Sequence, residues 1–254
     1  IPKNVKIIHC PMFIEPINHY NKIKILINFI RTLKGIIANN KVNIVHTHLN
    51  LINAIIVIAV RTSKVKDIKI VSSSYTTHNI YKKFSILLKS TSSMLIKLLS
   101  NVCVSDSRES LRYIYSKTKE DKKYKVISAA MRLSEINLQV SHSKGVNYSD
   151  CLTIGHVGRF SEPKNHKFII DIVSVLVSDG VNVKCILVGD GPLKNEVQRY
   201  ITNRKLDQYI EILDNVIDIT KVLCKFNIFL FPSKFESLPV ALLEAQAAGI
   251  KCVI

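Results

Sequence analysis

The chain has 254 residues, of which 47% are hydrophobic and 22% are charged, and its formal net charge is +17. The length suits two ordinary domains or one large one, and the composition excludes an intrinsically disordered chain. The longest apolar runs, such as residues 51–60, are about half as long as a membrane-spanning helix requires. No charged segment followed by an apolar core opens the chain, so we expect no secretory signal and a cytosolic protein.

The positive charge is concentrated in the first part of the chain. Residues 1–150 contain 24 Lys and Arg against 8 Asp and Glu, whereas residues 151–254 contain 12 against 11. A net charge of +16 in one part favours a polyanionic partner, but a compositional bias toward Lys explains it equally well. The mixture of Lys and apolar residues at 81–99 predicts contact with an anionic membrane surface, or else an ordinary helix that faces the core. No aromatic-rich stacking surface accompanies the charge, so we predict no nucleic-acid partner.

Short β-branched runs alternate with longer helical stretches in both parts of the chain. The predicted strands are 6–10, 43–48, 69–75, 101–105 and 124–128, then 151–157, 183–188, 210–213, 228–231 and 251–254. The predicted helices are 20–38, 49–61, 81–100 and 106–117, then 164–178, 193–203, 216–225 and 238–248. Apolar strands alternating with helices indicate parallel sheets that are covered on both faces. The polar stretch 141–150 interrupts this pattern, so we predict two doubly wound α/β domains, residues 1–147 and 148–254.

Histidines and cysteines do not predict a metal site. We expect the rings of His46 and His48, near the end of a predicted strand, to point to opposite faces, which disfavours joint metal binding. The six cysteines show no C-x-x-C spacing, so we interpret them as buried free thiols.

The most informative segment is residues 231–249, which passes from a strand through a short loop into an apolar helix. Ser237 is the expected N-cap of that helix, whose apolar composition predicts that it is buried. Glu244 lies in the middle of this helix, where a carboxylate is costly unless polar or charged groups meet it. Glu236 lies in the loop, at the edge where open α/β sheets bind ligands. The two carboxylates could therefore accept hydrogen bonds from a polyhydroxylated ligand, or Glu244 could instead pair with a Lys or Arg.

Two further loops of the second domain follow strands. Arg159 and Lys164 lie between a strand and a helix start, where two cations and the helix N-terminus favour phosphate binding. Gly189 and Gly191 lie in a similar loop and allow a ligand to approach the backbone closely, or they form only a tight turn. Because all three loops leave parallel strands at one edge of a sheet, they predict a crevice for a nucleoside diphosphate.

These residues resemble the retaining glycosyltransferases of family 4, above all the subgroup that acts in bacterial exopolysaccharide and capsule synthesis. Glu236 and Glu244 match that family's E-x7-E motif, and Arg159 and Lys164 match its Arg/Lys pair. The resemblance implies the GT-B fold, in which two Rossmann-like domains face a central cleft, with the acceptor on the first domain. It also implies a nucleoside-diphosphate sugar as donor, a UDP-sugar above all, and no metal cofactor.

The resemblance also implies roles for individual residues. Arg159 and Lys164 would bind the pyrophosphate, Glu244 the ribose hydroxyls and Glu236 the donor sugar. His78, in a segment that resembles the family's donor-facing histidine, would act with them in catalysis. The remaining donor-binding residues would be Gly158, Gly189, Gly191, Ser237, Leu238, Pro239 and Val240, with backbone N–H groups of the last three near the phosphate.

Both ends of the sequence depart from the family pattern. The first strand with its Gly-rich loop and the final strands are expected in the family and are absent here, so we expect the chain to be truncated at both ends. The sequence therefore predicts a glycosyltransferase that transfers a sugar to a glycan or lipid-linked acceptor in surface polysaccharide synthesis. The alternatives are an inactive nucleotide-binding fragment and a sugar-nucleotide epimerase on the same fold.

Overall fold

The computed structural model describes residues 19–48, 50–75, 84–128, 130, 151–214 and 216–254. The chain divides into two compact units, residues 1–128 and 129–254. The predicted strand 6–10, the predicted linker 141–150 and the domain boundary after residue 147 lie outside the described residues.

The first unit alternates helices with strands. Its described elements are α1 (His19–Asn39), β1 (Ile44–His48), α2 (Asn50–Arg61), β2 (Lys69–Ser73), α3 (Phe84–Leu99), β3 (Val102–Ser105), α4 (Arg108–Tyr115) and β4 (Tyr124–Val126). The strands form one sheet in the order β1-β2-β3-β4, and every neighbouring pair is parallel. Apolar side chains of α2 and β2, such as Val57 and Ile70, are buried together, and Ile96 of α3 packs with Cys103 of β3.

The second unit has the same alternation with a different strand order. Its elements are β5 (Leu152–Val157), a 3₁₀ turn (Glu162–Lys164), α5 (His166–Ser178), β6 (Val183–Val188), α6 (Lys194–Asn203), β7 (Ile210–Leu213), α7 (Thr220–Leu223), β8 (Ile228–Leu230), α8 (Val240–Ala247) and β9 (Lys251–Val253). All neighbouring strands are parallel, in the order β7-β6-β5-β8-β9.

Two separate apolar clusters cover the two faces of this second sheet. On one face, Ile169 and Val197 of α5 and α6 pack against Leu187 of β6. On the other, Leu242 of α8 packs with Phe229 of β8 and with other buried side chains. Sheets covered on both faces are what the apolar strands predict, and the α/β fold class with two parallel-sheet units is confirmed.

The predicted elements are found at nearly their predicted bounds wherever the structure describes them, with one marked shortening. The helix predicted at 216–225 is reduced to Thr220–Leu223. Its start is fixed by Asp218, whose carboxylate accepts hydrogen bonds from both the backbone N–H and the hydroxyl of Thr220. Asp commonly binds a backbone N–H two residues later, and this local bond competes with an earlier helix start.

The prediction for His46 and His48 is wrong. Their ring centroids lie 4.3 Å apart, so the two rings are on the same side of β1. The reason is the period of a strand, because residues two apart share a face. His46 is hydrogen-bonded to the Ser73 hydroxyl at 2.8 Å, and His48 to the Tyr75 hydroxyl at 2.9 Å. Within the described residues there is no group of three or more His, Cys, Asp or Glu side chains that could hold a metal ion.

No helix in the described part of the chain has the length and apolar character needed to cross a membrane.

Candidate functional site

The second sheet has a topological switch point between β5 and β8. The chain proceeds from β5 outward to β6 and β7, and then returns to place β8 on the other side of β5. In open α/β sheets, the loops that leave two such strands diverge and leave a crevice at their carboxyl ends, where ligands bind. The loop after β5 carries Arg159 and Lys164, and the loop after β8 carries Glu236.

The structure brings two of the predicted catalytic side chains together at this switch point. The Lys164 ammonium donates a hydrogen bond to the Glu236 carboxylate, although the two residues are 72 positions apart. Their side chains are only 20% and 21% exposed. The Lys164 ammonium also lies 5.5 Å from the centre of the Phe231 ring. A cation and a carboxylate therefore share one half-buried position, where a ligand with a phosphate and hydroxyl groups could engage both.

Local backbone structure directs Lys164 toward this position. Ser161 has extended backbone, Pro163 lies at the start of the 3₁₀ turn, and Asn165 ends the turn in the left-handed region with a φ of 56°. The turn is tied to the β8 loop, because the Lys234 N–H donates to the Pro163 carbonyl at 2.8 Å. Proline favours the first turn of a helix, and Asn tolerates the left-handed region, so the sequence encodes this turn.

Arg159 and Gly158 lie at the beginning of the same loop. The Arg159 side chain is exposed, and none of the described ion pairs involves it. Gly158 donates its N–H to the Val188 carbonyl at 2.9 Å, which holds the loop start against β6. The guanidinium is therefore available to an anion at the edge of the sheet.

Gly189 and Gly191 have a structural reason beside the ligand contact or tight turn that the sequence predicts. A Cβ at Gly189 would lie 2.2 Å from the Gly158 carbonyl oxygen, and one at Gly191 would lie 2.5 Å from that of Phe160. Both glycines also have a positive φ, of 143° and 158°. They let the loop after β6 lie directly against the loop after β5, where Phe160 donates its N–H to the Asp190 carbonyl at 2.9 Å. Contact of these glycines with a ligand stays a prediction.

The loop before α8 corrects the predicted helix start. The N-cap is Pro239 and the helix begins at Val240, so Ser237 is not the cap. Proline disfavours helical backbone in the residue before it, which keeps Leu238 outside the helix. Proline also lacks an N–H, and the Val240 N–H donates to the Leu238 carbonyl at 2.9 Å. Pro239 therefore has no N–H for a phosphate, and the Val240 N–H is already hydrogen-bonded. Of the three backbone groups predicted to meet the phosphate, the Leu238 N–H remains.

Glu244 lies in α8 with a partly buried side chain, and burial raises the pKa of its carboxyl. None of the described salt bridges includes Glu244, so the alternative of a structural ion pair is not observed among the described residues. The helix around it is only partly buried, because Leu242 and Ala245 face the core while Val240 is 37% exposed. A carboxylate held in this setting gains from hydroxyl groups that donate to it.

His78 lies outside the described residues, so its role stays a prediction. Sequence reasoning missed two other features near the loops. Lys194, just after the Gly189 loop, forms an ion pair with Asp214 at the end of β7. His156 and His166, which bracket the Lys164 loop, are buried with their rings 5.0 Å apart. His156 places a titratable ring in a strand that is otherwise uncharged, and that ring was the available signal.

Comparisons with known proteins give a family match for the second unit. Residues 151–254 match the family model described as glycosyl transferases group 1. EpsF of Bacillus subtilis (strain 168), whose name assigns it to the glycosyltransferases, is 39% identical over 106 residues, which is 42% of this chain and 28% of EpsF. The capsular polysaccharide biosynthesis glycosyltransferase CapH of Staphylococcus aureus is 25% identical over 222 residues, which is 86% of this chain and 59% of CapH. The chain thus spans less than two thirds of either relative's length.

A solved structure extends the likeness to both units. HepE from Anabaena, crystallised with UDP and glucose, has a TM-score of 0.67 with 16% identity, over 94% of this chain and 64% of HepE. At this identity the likeness shows the fold, and it confirms the predicted fold class.

Proposed function

We propose that this chain carries the donor-binding part of a glycosyltransferase that transfers a sugar from a nucleoside diphosphate to an acceptor hydroxyl. The observation that carries this proposal is the convergence of Lys164 with Glu236 at the switch point of the second sheet. A nucleotide sugar combines a diphosphate with the hydroxyl groups of the ribose and of the sugar. The site offers cations for the diphosphate and carboxylates for the hydroxyl groups. The family match over residues 151–254 supports the same reaction class.

The proposed roles follow from charge and position. Arg159 and Lys164 bind the pyrophosphate and stabilise the negative charge that develops on the departing nucleoside diphosphate. Glu236, which now accepts from Lys164, turns its carboxylate to hydroxyl groups of the donor sugar. Glu244 accepts hydrogen bonds from the ribose hydroxyls, which offset the cost of its partial burial. His78 completes the catalytic set in this proposal.

The finer assignment is to family 4, with retention of anomeric configuration and a UDP-sugar as donor. The E-x7-E spacing of Glu236 and Glu244 supports the family, and the UDP named in the HepE structure supports the nucleotide. Names of relatives such as CapH support an acceptor in surface polysaccharide synthesis, either a glycan or a lipid-linked sugar.

Calorimetric titration with UDP, GDP and ADP tests the donor site. We expect UDP to bind and Glu244→Ala to weaken UDP binding by roughly tenfold or more, because a hydrogen bond to a charged group contributes about 1.5–3 kcal/mol. Gln246→Ala is the matched control, since Gln246 is an exposed residue of the same helix. Equal loss in both variants, or folded wild-type protein that binds none of the three nucleotides, would contradict the proposal.

We also propose that the reaction needs no metal ion, because Arg159 and Lys164 supply positive charge at the leaving group. Transfer from a UDP-sugar should then be unchanged when EDTA replaces added Mg²⁺. A product analysis without acceptor separates the epimerase alternative, since only an epimerase turns the free nucleotide sugar into its epimer.

A further inference from the structure

A pair of buried histidines lies at the base of the Lys164 loop and has no part in the roles proposed above. His156 belongs to β5 and is fully buried, and His166, the first residue of α5, is 3% exposed. The two rings meet edge to face, with centroids 5.0 Å apart. The His166 ring also stacks on Phe160 at 4.2 Å, so its orientation is fixed from the other side.

The hydrogen bonding of His156 determines which of its nitrogens carries the proton. Its Nδ1 lies 2.9 Å from the backbone carbonyl oxygen of Leu230. A carbonyl only accepts, so Nδ1 carries the hydrogen and Nε2 of a neutral ring presents a lone pair. That Nε2 atom is buried and has no hydrogen-bond partner among the described residues. A buried acceptor without a donor is costly, and native structures rarely keep one without a reason.

The Nε2 atom of His156 and the Lys164 side chain border the same small space. A Cβ at Gly158 would lie 2.9 Å from His156 Nε2 and 3.3 Å from Cδ of Lys164, so the absence of a side chain at Gly158 leaves this space open. Burial, and to a smaller degree the charge of Lys164, lowers the pKa of His156 to about 4. Burial, with His156 and Lys164, lowers the pKa of His166 to about 3. Both rings are therefore neutral at neutral pH, and the Nε2 atom of His156 can accept an N–H of the lysine.

The Lys164 ammonium needs more partners than Glu236 alone. It has three N–H donors on a flexible stem, which gives it little orientation of its own. One of these N–H groups donates to Glu236. In the proposed reaction, Glu236 turns away from Lys164 to the sugar of the nucleotide sugar. A buried acceptor beside the lysine stem would keep the ammonium directed into the site during that exchange.

We propose that His156 is a positioning residue, whose Nε2 lone pair accepts from the Lys164 ammonium and holds it at the donor's pyrophosphate. His166 and Phe160 keep the His156 ring in place. This inference rests on the proposed function, because it assigns the pyrophosphate to Lys164.

A double-mutant cycle on UDP affinity tests whether His156 acts through Lys164. We expect His156→Phe, which keeps a ring and removes the acceptor, to raise the Kd for UDP about tenfold in the otherwise unchanged chain. In a Lys164→Met background the same change should have little further effect. His156→Gln should recover much of the affinity, because its amide oxygen can take the place of Nε2. An equal effect of His156→Phe in both backgrounds would show a merely structural role and overturn the proposal.

A second measurement separates this inference from the proposed function. In ¹⁵N spectra of the histidine side chains, binding of UDP should move the Nε2 resonance of His156 in the wild type and leave its Nδ1 resonance in place, and Lys164→Met should abolish that movement. The matched control is Lys167→Met, because Lys167 is an exposed neighbour that pairs with Glu196. Failure of the folded wild type to bind UDP would contradict the proposed function alone. A His156 Nε2 resonance that stays unmoved when UDP binds to the wild type would overturn the positioning role.

Discussion

At the scale of single residues, the second unit depends on a glycine that the site itself does not use. Gly155 lies in the central strand β5, and the Phe226 ring occupies the place of its missing side chain. A Cβ at this position would lie 2.1 Å from the nearest ring carbon, and Phe226 is only 5% exposed. Neither the strand nor the ring can move without disturbing the core on that face of the sheet.

We therefore expect Gly155→Ala to lower the free energy of unfolding by about 1–3 kcal/mol or more, as overpacked cores do. Gly35→Ala is the control, because Gly35 lies in α1 with no atom within 4 Å of an added Cβ. That change should raise stability by roughly 0.5–1 kcal/mol, the helix preference of Ala over Gly. Urea titrations followed by circular dichroism measure both, and a Gly155→Ala protein as stable as wild type would contradict the packing described.

The buried histidines predict how stability depends on pH. The folded-state pKa values of His156 and His166 are lowered to about 4 and about 3, so between those values and about 6.5 the unfolded chain binds more protons. The stability that the two buried histidines contribute is present above pH 6.5 and is lost as the pH falls below this value. At pH 5.5 the free energy of unfolding should be lower by about 1.4 kcal/mol for each histidine. In urea titrations, a His156→Phe, His166→Phe protein should show a flatter profile from pH 7 to 5.5. A profile as steep as that of the wild type would show that other groups cause the loss.

At the scale of elements, α3 presents an apolar surface in the basic first unit. Met94 and Leu98 lie four residues apart on this helix and are 58% and 66% exposed, and Lys97 lies beside them. Residues four apart share a helix face, so these side chains form a short exposed stripe. The earlier lysines of the predicted membrane-contacting stretch lie partly outside the described residues, but this stripe supports the same prediction.

We expect the chain to float with vesicles that contain anionic lipid, and to do so less in high salt. Changing Lys82, Lys83 and Lys89 to Glu should abolish flotation, since each basic residue near such a surface contributes about 1 kcal/mol. Met94→Ser with Leu98→Ser should weaken flotation without changing the net charge. Vesicle binding that survives both sets of changes would contradict the predicted membrane contact. The positive charge of the first unit would then be a compositional bias.

At the scale of the whole molecule, the two units have separate sheets and separate apolar cores. The proposed residues for binding the nucleotide sugar that the structure describes all belong to the second unit. They lie in the loops after β5, β6 and β8 and in α8. A nucleotide should therefore stabilise this unit first.

Hydrogen exchange with and without UDP tests this location. We expect exchange to slow most at residues 158–166, 189–193 and 231–244, which form these loops and the start of α8. The peptides of β1 and β2 serve as the internal reference. Protection that is strongest in the first unit would place the nucleotide elsewhere and contradict the proposed site.

The sequence predicted the elements well because their signals are local. Apolar β-branched runs gave the strands, and the common edge of parallel strands placed Lys164 and Glu236 on one side of the sheet. Their direct contact could not be predicted, because it depends on β8 lying next to β5. The amino-acid sequence does not specify the order of the strands in the sheet. The function of Gly189 and Gly191 in loop packing likewise depends on a neighbouring loop 30 or so residues away. The error on His46 and His48 was one of geometry, since strand periodicity by itself predicts a shared face.

The position of β8 beside β5 also determines when the site can form. His156 reaches Leu230 across 74 residues of chain, and Lys164 reaches Glu236 across 72. Contacts of such long sequence separation form slowly, because closing the intervening loop costs chain entropy before the contact contributes anything. During synthesis, β5, β6 and β7 can assemble while the residues of β8 are still inside the ribosome, and such an intermediate has a sheet but no crevice. Nucleotide binding would thus report completed folding of the second unit, and a ligand could not act as a template for its early steps.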